Sequence, residues 1–399
     1  MYTRCIYNAK AICGLKMTLA YNEESSKAVI GASLRLASGP CAKHPNWVSP
    51  TGELAGRSHR SVDGLSMIQE VLDLHRKILS IPDDYYIGIV SASSTGAMET
   101  LMWSLLGANG IDILSHCVFS KHWENDIVNE LKLKDVRVFR AEFPEMADTS
   151  NVDFDRDVVF CWTSTTSGVS FKNADWIKSD RKGLTICDAA SAMFMFDLDW
   201  SKLDATAFSW QKGLGGEAGF GVIVLSPRAI ARLESYKPSW PMPRIFRIAN
   251  DKKVNFDVFK GCTINTPSMI CIEDFRNALL WAEKIGGIQA LIQRIEANYA
   301  VVSQWVSQSS IFKFLVDEKY RAHHIACFDI VSEEYQKLSD ADKWEFLKKI
   351  IRFCEHEKSG FDFIGHILTK PHLRVWCGPT IEADVLRNFL PKIESVLLT

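Results

Sequence analysis

Asp188 and Lys212 stand 24 positions apart, each where a short apolar run stops. Leu184-Thr185-Ile186-Cys187 reads as a buried parallel strand that delivers an acid at its carboxyl end. Ala205 to Trp210 reads as a second strand, delivering Gln211 and Lys212. In open α/β sheets, ligands bind at that end of the strands. A carboxylate and a primary amine so placed suit a cofactor with an aldehyde to hold as a Schiff base and a ring nitrogen to keep protonated. Pyridoxal phosphate has both. A turn-capping aspartate and a solvated surface lysine would explain the same two residues, so the rest of the chain must decide.

Other stretches bring chemistry of their own. Strand Tyr86 to Val90 runs through Ser91-Ala92-Ser93-Ser94-Thr95-Gly96 into a helix from Ala97 to about Leu106, in outline a phosphate cradle. Simple N-capping by Ser94 or Thr95 would use the same free N–H groups. Trp123 opens a helix that runs to about Leu133, where an indole could lie flat on a ligand ring or simply pack in the core. Thr163 to Gly168 carries five hydroxyls in a row, too polar for a core and short enough for a ligand-facing turn; a bland Ser/Thr-rich loop is the competing reading. Gly213-Leu214-Gly215-Gly216-Glu217-Ala218 satisfies a dinucleotide fingerprint, with Glu234 at about the right distance. That fingerprint needs a helix at the glycines, yet Phe220 to Leu225 reads as a strand. A tight hairpin that leaves the lysine uncrowded fits better.

The elements that must position these groups alternate. Strands at Ile111 to Leu114, Val136 to Phe139 and Val158 to Trp162, interleaved with helices, predict a mainly parallel α/β sheet. Gly64 to Ser80 has helical apolar spacing, Pro227 to Tyr236 forms a helix, and Lys237 to Ser268 is a long proline-bearing connection. Thr266 as N-cap and Pro267 at the first helical position start a helix to Ile285, which Gly286-Gly287 breaks. From Ile288 the texture changes to a helix to Gln308, strand His324 to Val331, helix Asp340 to His356, strands near Phe361 to Ile367 and Leu373 to Cys377, and helix Ile381 to Leu397. The expected organisation is a leader over 1–30, poorly ordered, an arm over 31–62, a large domain over 63–287 and a smaller α+β domain over 288–399.

Composition excludes several classes. A formal net charge of -2 over 399 residues gives no basic excess, which disfavours a nucleic-acid or membrane-surface role. Eleven cysteines without a CxxC spacing argue against a zinc ribbon or disulfide framework and for a reducing compartment, so the chain is expected to be cytoplasmic and to hold no metal. No apolar run approaches the roughly 18 residues of a spanning helix.

The blocks SGPCAKHP, GRSHRS, SSTGAME, TSTTSGV, TICDAASA, FSWQKGLGGEAGFG, TINTPSM and LRVWCG run in order from Ser38 to Gly378. In them the chain resembles the fold-type I pyridoxal-phosphate enzymes of aminotransferase class V, and within that class the less common branch of the phosphoserine aminotransferase family. The resemblance implies a seven-stranded large-domain sheet and a homodimer. It implies that Lys212 carries pyridoxal phosphate as a Schiff base, Asp188 pairs with the ring nitrogen, Trp123 stacks on the ring and Thr165 bonds the ring oxygen. Ser94, Thr95 and Gln211 would hold the phosphate, with Asn265 and Thr266 from a neighbouring subunit. Arg374 would clamp the substrate carboxylate, and Ser38, His59, Arg60 and His366 would surround the distal anionic group. Where this family commonly has an arginine seven residues before the clamp, this chain has Ile367; Lys370 or His372 would have to substitute.

The reaction so implied moves an amino group between O-phospho-L-serine and 2-oxoglutarate, giving 3-phosphohydroxypyruvate and glutamate, a step of serine biosynthesis that extends to 4-phosphohydroxy-L-threonine in pyridoxine biosynthesis. A class V aminotransferase for a non-phosphorylated amino acid such as serine or alanine is the alternative that Ile367 keeps open. A non-catalytic dimeric scaffold is the alternative from a different class.

Overall fold

The computed structural model describes residues 35–398. The expected leader over 1–30 and the first residues of the arm lie outside them.

Helix α1 (Val62–Ile78), capped by Ser61, leads into strand β1 (Tyr86–Ser91) and α2 (Ser93–Leu105). Then come β2 (Ile111–Ser115), α3 (Val118–Asn125), β3 (Val136–Arg140), β4 (Asp157–Cys161), β5 (Thr185–Asp188), β6 (Ala205–Ser209), β7 (Phe220–Leu225) and α4 (Pro227–Ser235). The seven strands form one sheet in the order β1-β7-β6-β5-β4-β2-β3. Every neighbouring pair is parallel except those made by β7, which runs antiparallel to β1 and β6. Strands β2, β4, β5, β6 and β7 are buried throughout, which is why they read as unbroken apolar runs. Helix α1 and a later helix, α5, cover one face; α2, α3 and α4 cover the other.

Past α4, the connection to α5 (Met269–Lys284) holds only a two-strand ribbon, β8 (Ala249–Asn250) with β9 (Lys253–Val254), and short 3-10 turns. Helix α6 (Gly287–Gln308) follows, then β10 (Phe312–Phe314), β11 (Ile325–Ile330), α7 (Glu333–Gln336), α8 (Asp340–His356), β12 (Leu373–Trp376) and α9 (Ala383–Leu398). Strands β10, β11 and β12 make a small antiparallel sheet with its own core. Helix α6 serves both cores: Ile288 and Leu291 pack into the large one, Ile295 and Val302 into the small one.

Several local expectations are corrected. The helix holding Trp123 begins at Val118, because the Cys117 side chain and Ser120 form a capping box; Trp123 lies near its end, before a π turn over Asp126–Glu130. Helix α2 starts at Ser93, and its N-cap is Ala92 in the left-handed region, so neither Ser94 nor Thr95 caps it. Ser268, not Thr266, caps α5. Residues 361–367 make single bridges, Arg35 with Phe361 and Ile364 with Leu373, instead of a strand. The β6–β7 connection over 210–219 is a wide loop, not a tight hairpin; it contains no helix, which removes the dinucleotide reading.

Candidate active site

Asp188 is the last residue of β5 and is buried. Its Oδ1 accepts the Ala190 N–H at 3.0 Å, while Oδ2 accepts the Trp123 indole N–H at 3.0 Å and the Cys161 thiol at 3.7 Å. Burial pushes its pKa up, and those donors pull it back. Among the described residues it forms no ion pair, so a cationic N–H would find an acceptor there.

Lys212 follows β6 by three residues. Its Nζ donates to the Ser38 carbonyl and, at 3.3 Å, to Thr165 Oγ1. Burial lowers its pKa to about 8, and the Arg374 guanidinium pushes the same way. Gly39, at φ +142°, lies against this amine: a Cβ there would stand 2.6 Å from Nζ. Only glycine lets the backbone come so near.

At the carboxyl end of β1 the chain enters α2 through two consecutive non-glycine residues at positive φ, Ala92 (66°) and Ser93 (59°), with no side-chain cap on the helix. Such strain, about 1–3 kcal/mol per residue, collects at ligand sites. It turns free N–H groups outward as an anion nest. Ser94 and Thr95 lie in the first turn, Gln211 Nε2 donates to Ser93 Oγ at 3.2 Å, and Gln211 Oε1 is buried without a partner among the described residues. Asn265 bonds Ser91 within the same chain, at the rim of this nest; Thr266 beside it is exposed.

The turn at Thr163 to Gly168 is buried, against expectation, because its hydroxyls satisfy one another. Ser164 Oγ bonds Thr166 Oγ1 and accepts from Ser167 Oγ, both at 2.9 Å, and Thr163 pairs with Ser170 at 2.9 Å. Arg374 of β12 donates from Nη1 to the Thr165 carbonyl at 2.6 Å, fastening the small sheet to this turn. Its buried Nε has no partner among the described residues, which leaves a fork free for a carboxylate.

The expected substrate residues divide. Ser38 touches Lys212 directly, and His366 has its pKa lowered by burial first and then by Arg374, His122 and Lys212 near it, so both lie at this cluster. His59 is buried with Nε2 unpartnered among the described residues, and Arg60 is exposed; neither bonds the cluster. Ile367 is 78% exposed and Leu368 66%. Lys370 is exposed, whereas His372 is buried against Phe143 and bonded to the Lys370 carbonyl.

Cys161, His122, Gly39 and Asp274 were not singled out by sequence reasoning. Asp274 alone carries a local signal, an acid on the apolar face of α5 beside Ile272, Phe275 and Ala278. A cleft of about 280 Å³ near Tyr236, Trp240 and Lys252 contains none of the cluster residues and no buried titratable group. It does not compete as a reaction site.

Residues 145–342 match the family model described as aminotransferase class-V. The phosphoserine aminotransferase of Methanosarcina mazei is 46% identical over 361 residues, covering 90% of this chain and 95% of the relative. That of Methanosarcina barkeri is 47% identical over 363 residues, with the same coverage. Among solved structures, a phosphoserine aminotransferase from Cytophaga hutchinsonii matches with TM-score 0.73 at 19% identity, over 91% of this chain and 99% of that one. One from Bacillus circulans subsp. alkalophilus gives 0.74 at 16%, over 91% and 98%. At such identities these two structures speak for the fold.

Proposed function

The chain belongs to the phosphoserine aminotransferase family of aminotransferase class V, pyridoxal-phosphate-dependent transaminases, and from that premise we propose how its own residues do the work. The substrates proposed are O-phospho-L-serine and 2-oxoglutarate, with 3-phosphohydroxypyruvate and L-glutamate as products. What supports the reading is the convergence of Lys212, Asp188, the uncapped nest of α2 and the free fork of Arg374 at one end of the sheet.

These residues fit pyridoxal phosphate. The α2 nest with Ser94, Thr95 and Gln211 would hold its phosphate, Asp188 its ring nitrogen, Thr165 its ring oxygen and Trp123 its ring face. When bound, the cofactor supplies an aldehyde for amines and a ring that accepts the electrons released at the substrate α-carbon. Lys212 is the residue that would hold the cofactor by its aldehyde carbon. Its amine, depressed to about 8, then moves a proton to or from the α-carbon at a pH where much of it is neutral. Asp188, pushed up by burial and pulled back by its three donors, would face the ring nitrogen as the acceptor for its N–H. Arg374 orients the substrate by its carboxylate, with Ser38, His59, Arg60 and His366 around the far end.

The protein is proposed to act as a homodimer, with Asn265 and the exposed Thr266 reaching the neighbour's cofactor phosphate, which requires Asn265 to exchange its bond to Ser91 of its own chain for that contact. The exposed Ile367 favours a second reading, an aminotransferase for a non-phosphorylated amino acid. Turnover of phosphoserine, serine, alanine and phosphohydroxythreonine by the purified protein decides between them. A kcat/KM for serine or alanine equal to that for phosphoserine would overturn the first reading.

A further inference from the structure

Residues 35–47 form a strap across the mouth of the site. At one end Leu36 is held by the small unit: its N–H donates to the Phe361 carbonyl at 2.9 Å, and its carbonyl accepts the Trp376 N–H at 3.1 Å. In the middle, the Ser38 carbonyl and Gly39 lie on the Lys212 amine, and the Cys41 N–H donates to the Gln211 carbonyl at 2.8 Å. Gly215, at φ +67°, lets the loop after Lys212 pass directly under the Ala42 carbonyl.

The other end meets Asp274 on α5, a carboxylate 2% exposed. Its Oδ2 accepts from Lys43 Nζ at 2.8 Å and from the Glu217 N–H at 3.1 Å, and its Oδ1 accepts from the Trp47 indole at 2.8 Å. Lys43 also pairs with Glu217 at 3.0 Å. One buried acid therefore ties two strap residues to the lysine's own loop. His44 adds a bond to Asn277 at 2.8 Å and stacks on Trp281 at 4.9 Å.

We propose that Asp274 is a positioning residue for Lys212: by fastening strap and loop together it keeps the Ser38 carbonyl and Gly39 on the amine and water off it. The inference rests on Lys212 being the reactive amine. Without the anchor, the strap is left to the Cys41 bond to Gln211 and the His44 contacts with Asn277 and Trp281, and this looser hold lets solvent back to Lys212 and Cys41. An asparagine at 274 can satisfy the donors on one side only, because its NH2 would face another donor.

The test uses the full-length protein freed of cofactor. Cys41 is buried under the strap, and burial holds its pKa at about 12, so iodoacetamide should label it slowly. In Asp274→Asn, labelling followed by peptide mass spectrometry should be at least tenfold faster, with buried Cys327 and Cys377 unchanged as internal controls. The pH midpoint for borohydride-trapped attachment of pyridoxal phosphate at Lys212 should move up from about 8 towards the ordinary lysine value. Lys43→Met and Trp47→Phe, each removing one donor, should give intermediate shifts and keep the question open to measurement if Asp274→Asn does not fold. Wild-type Cys41 labelling and an unmoved midpoint in folded variants overturn the proposal. Labelling of Cys327 and Cys377 in parallel with Cys41 overturns it too, since that is general loosening. A wild type that traps no pyridoxal phosphate sinks the functional reading instead, while Cys41 labelling still decides whether Asp274 holds the strap.

Discussion

The two ends of the site are built differently. At the end proposed for the cofactor, Asp188 closes a buried strand, Lys212 follows another, and their partners Trp123 and Thr165 are held by a helix and by the buried hydroxyl turn. Of the residues proposed for the substrate end, only Arg374 stands on a strand; Ser38, His59, Arg60 and His366 sit on irregular segments, and Ile367 projects into solvent. The difference separates chemistry that tolerates little displacement from recognition that loops can vary.

Substitutions at the two ends should therefore fail in different ways. Lys212→Ala should lower turnover by roughly 10³-fold or more and abolish the borohydride-reducible chromophore; wild-type turnover would break the comparison at its centre. Asp188→Asn, which keeps the size but not the charge, should cost kcat roughly 10²–10³-fold with KM little changed. Arg374→Lys should raise KM for amino donor and oxo-acid alike by about 10–100-fold, through loss of the bidentate fork, with kcat within a few-fold. A kcat collapse there would move Arg374 to the cofactor end.

Smaller effects sharpen the contrast. Capture of pyridoxal phosphate by cofactor-free protein needs the neutral amine. Because burial depresses Lys212 to about 8, the capture rate should rise about tenfold per pH unit below 8 and flatten above it. A rise continuing towards pH 10 would mean a solvated lysine. Ile367→Arg should change KM for phosphoserine by only a few-fold and leave serine untouched, since an exposed charge pair is worth about 0–1 kcal/mol. Loss of cofactor in that variant would erase the boundary between the ends.

The same division explains what the sequence made legible. Asp188 and Lys212 could be found because a strand buried on both faces leaves an apolar run that stops at a polar group. The capping at α2, α3 and α5 was misread where the residue that acts, Ala92 or Cys117, is not of the usual capping type, or where two hydroxyl residues, Thr266 and Ser268, compete within one turn. The Thr163 to Gly168 turn looked too polar to bury because mutual hydroxyl bonding has no sequence period. Asp274 meets Lys43 and Trp47 across more than two hundred residues, a distance no local pattern records.

Helix α6 carries a consequence for how the molecule comes apart. Its first two turns complete the large core and the rest completes the small one, so a boundary at residue 288 leaves the preceding piece without Ile288 and Leu291. Cutting there would expose apolar surface on both fragments. Arg374 on Thr165 stitches the same seam, as does the strap that runs from Leu36 in the small core to Lys43 on Asp274 of α5. Heat or denaturant should accordingly melt the chain in one cooperative transition, seen alike by tryptophan fluorescence and far-ultraviolet circular dichroism, in place of two separate domain transitions.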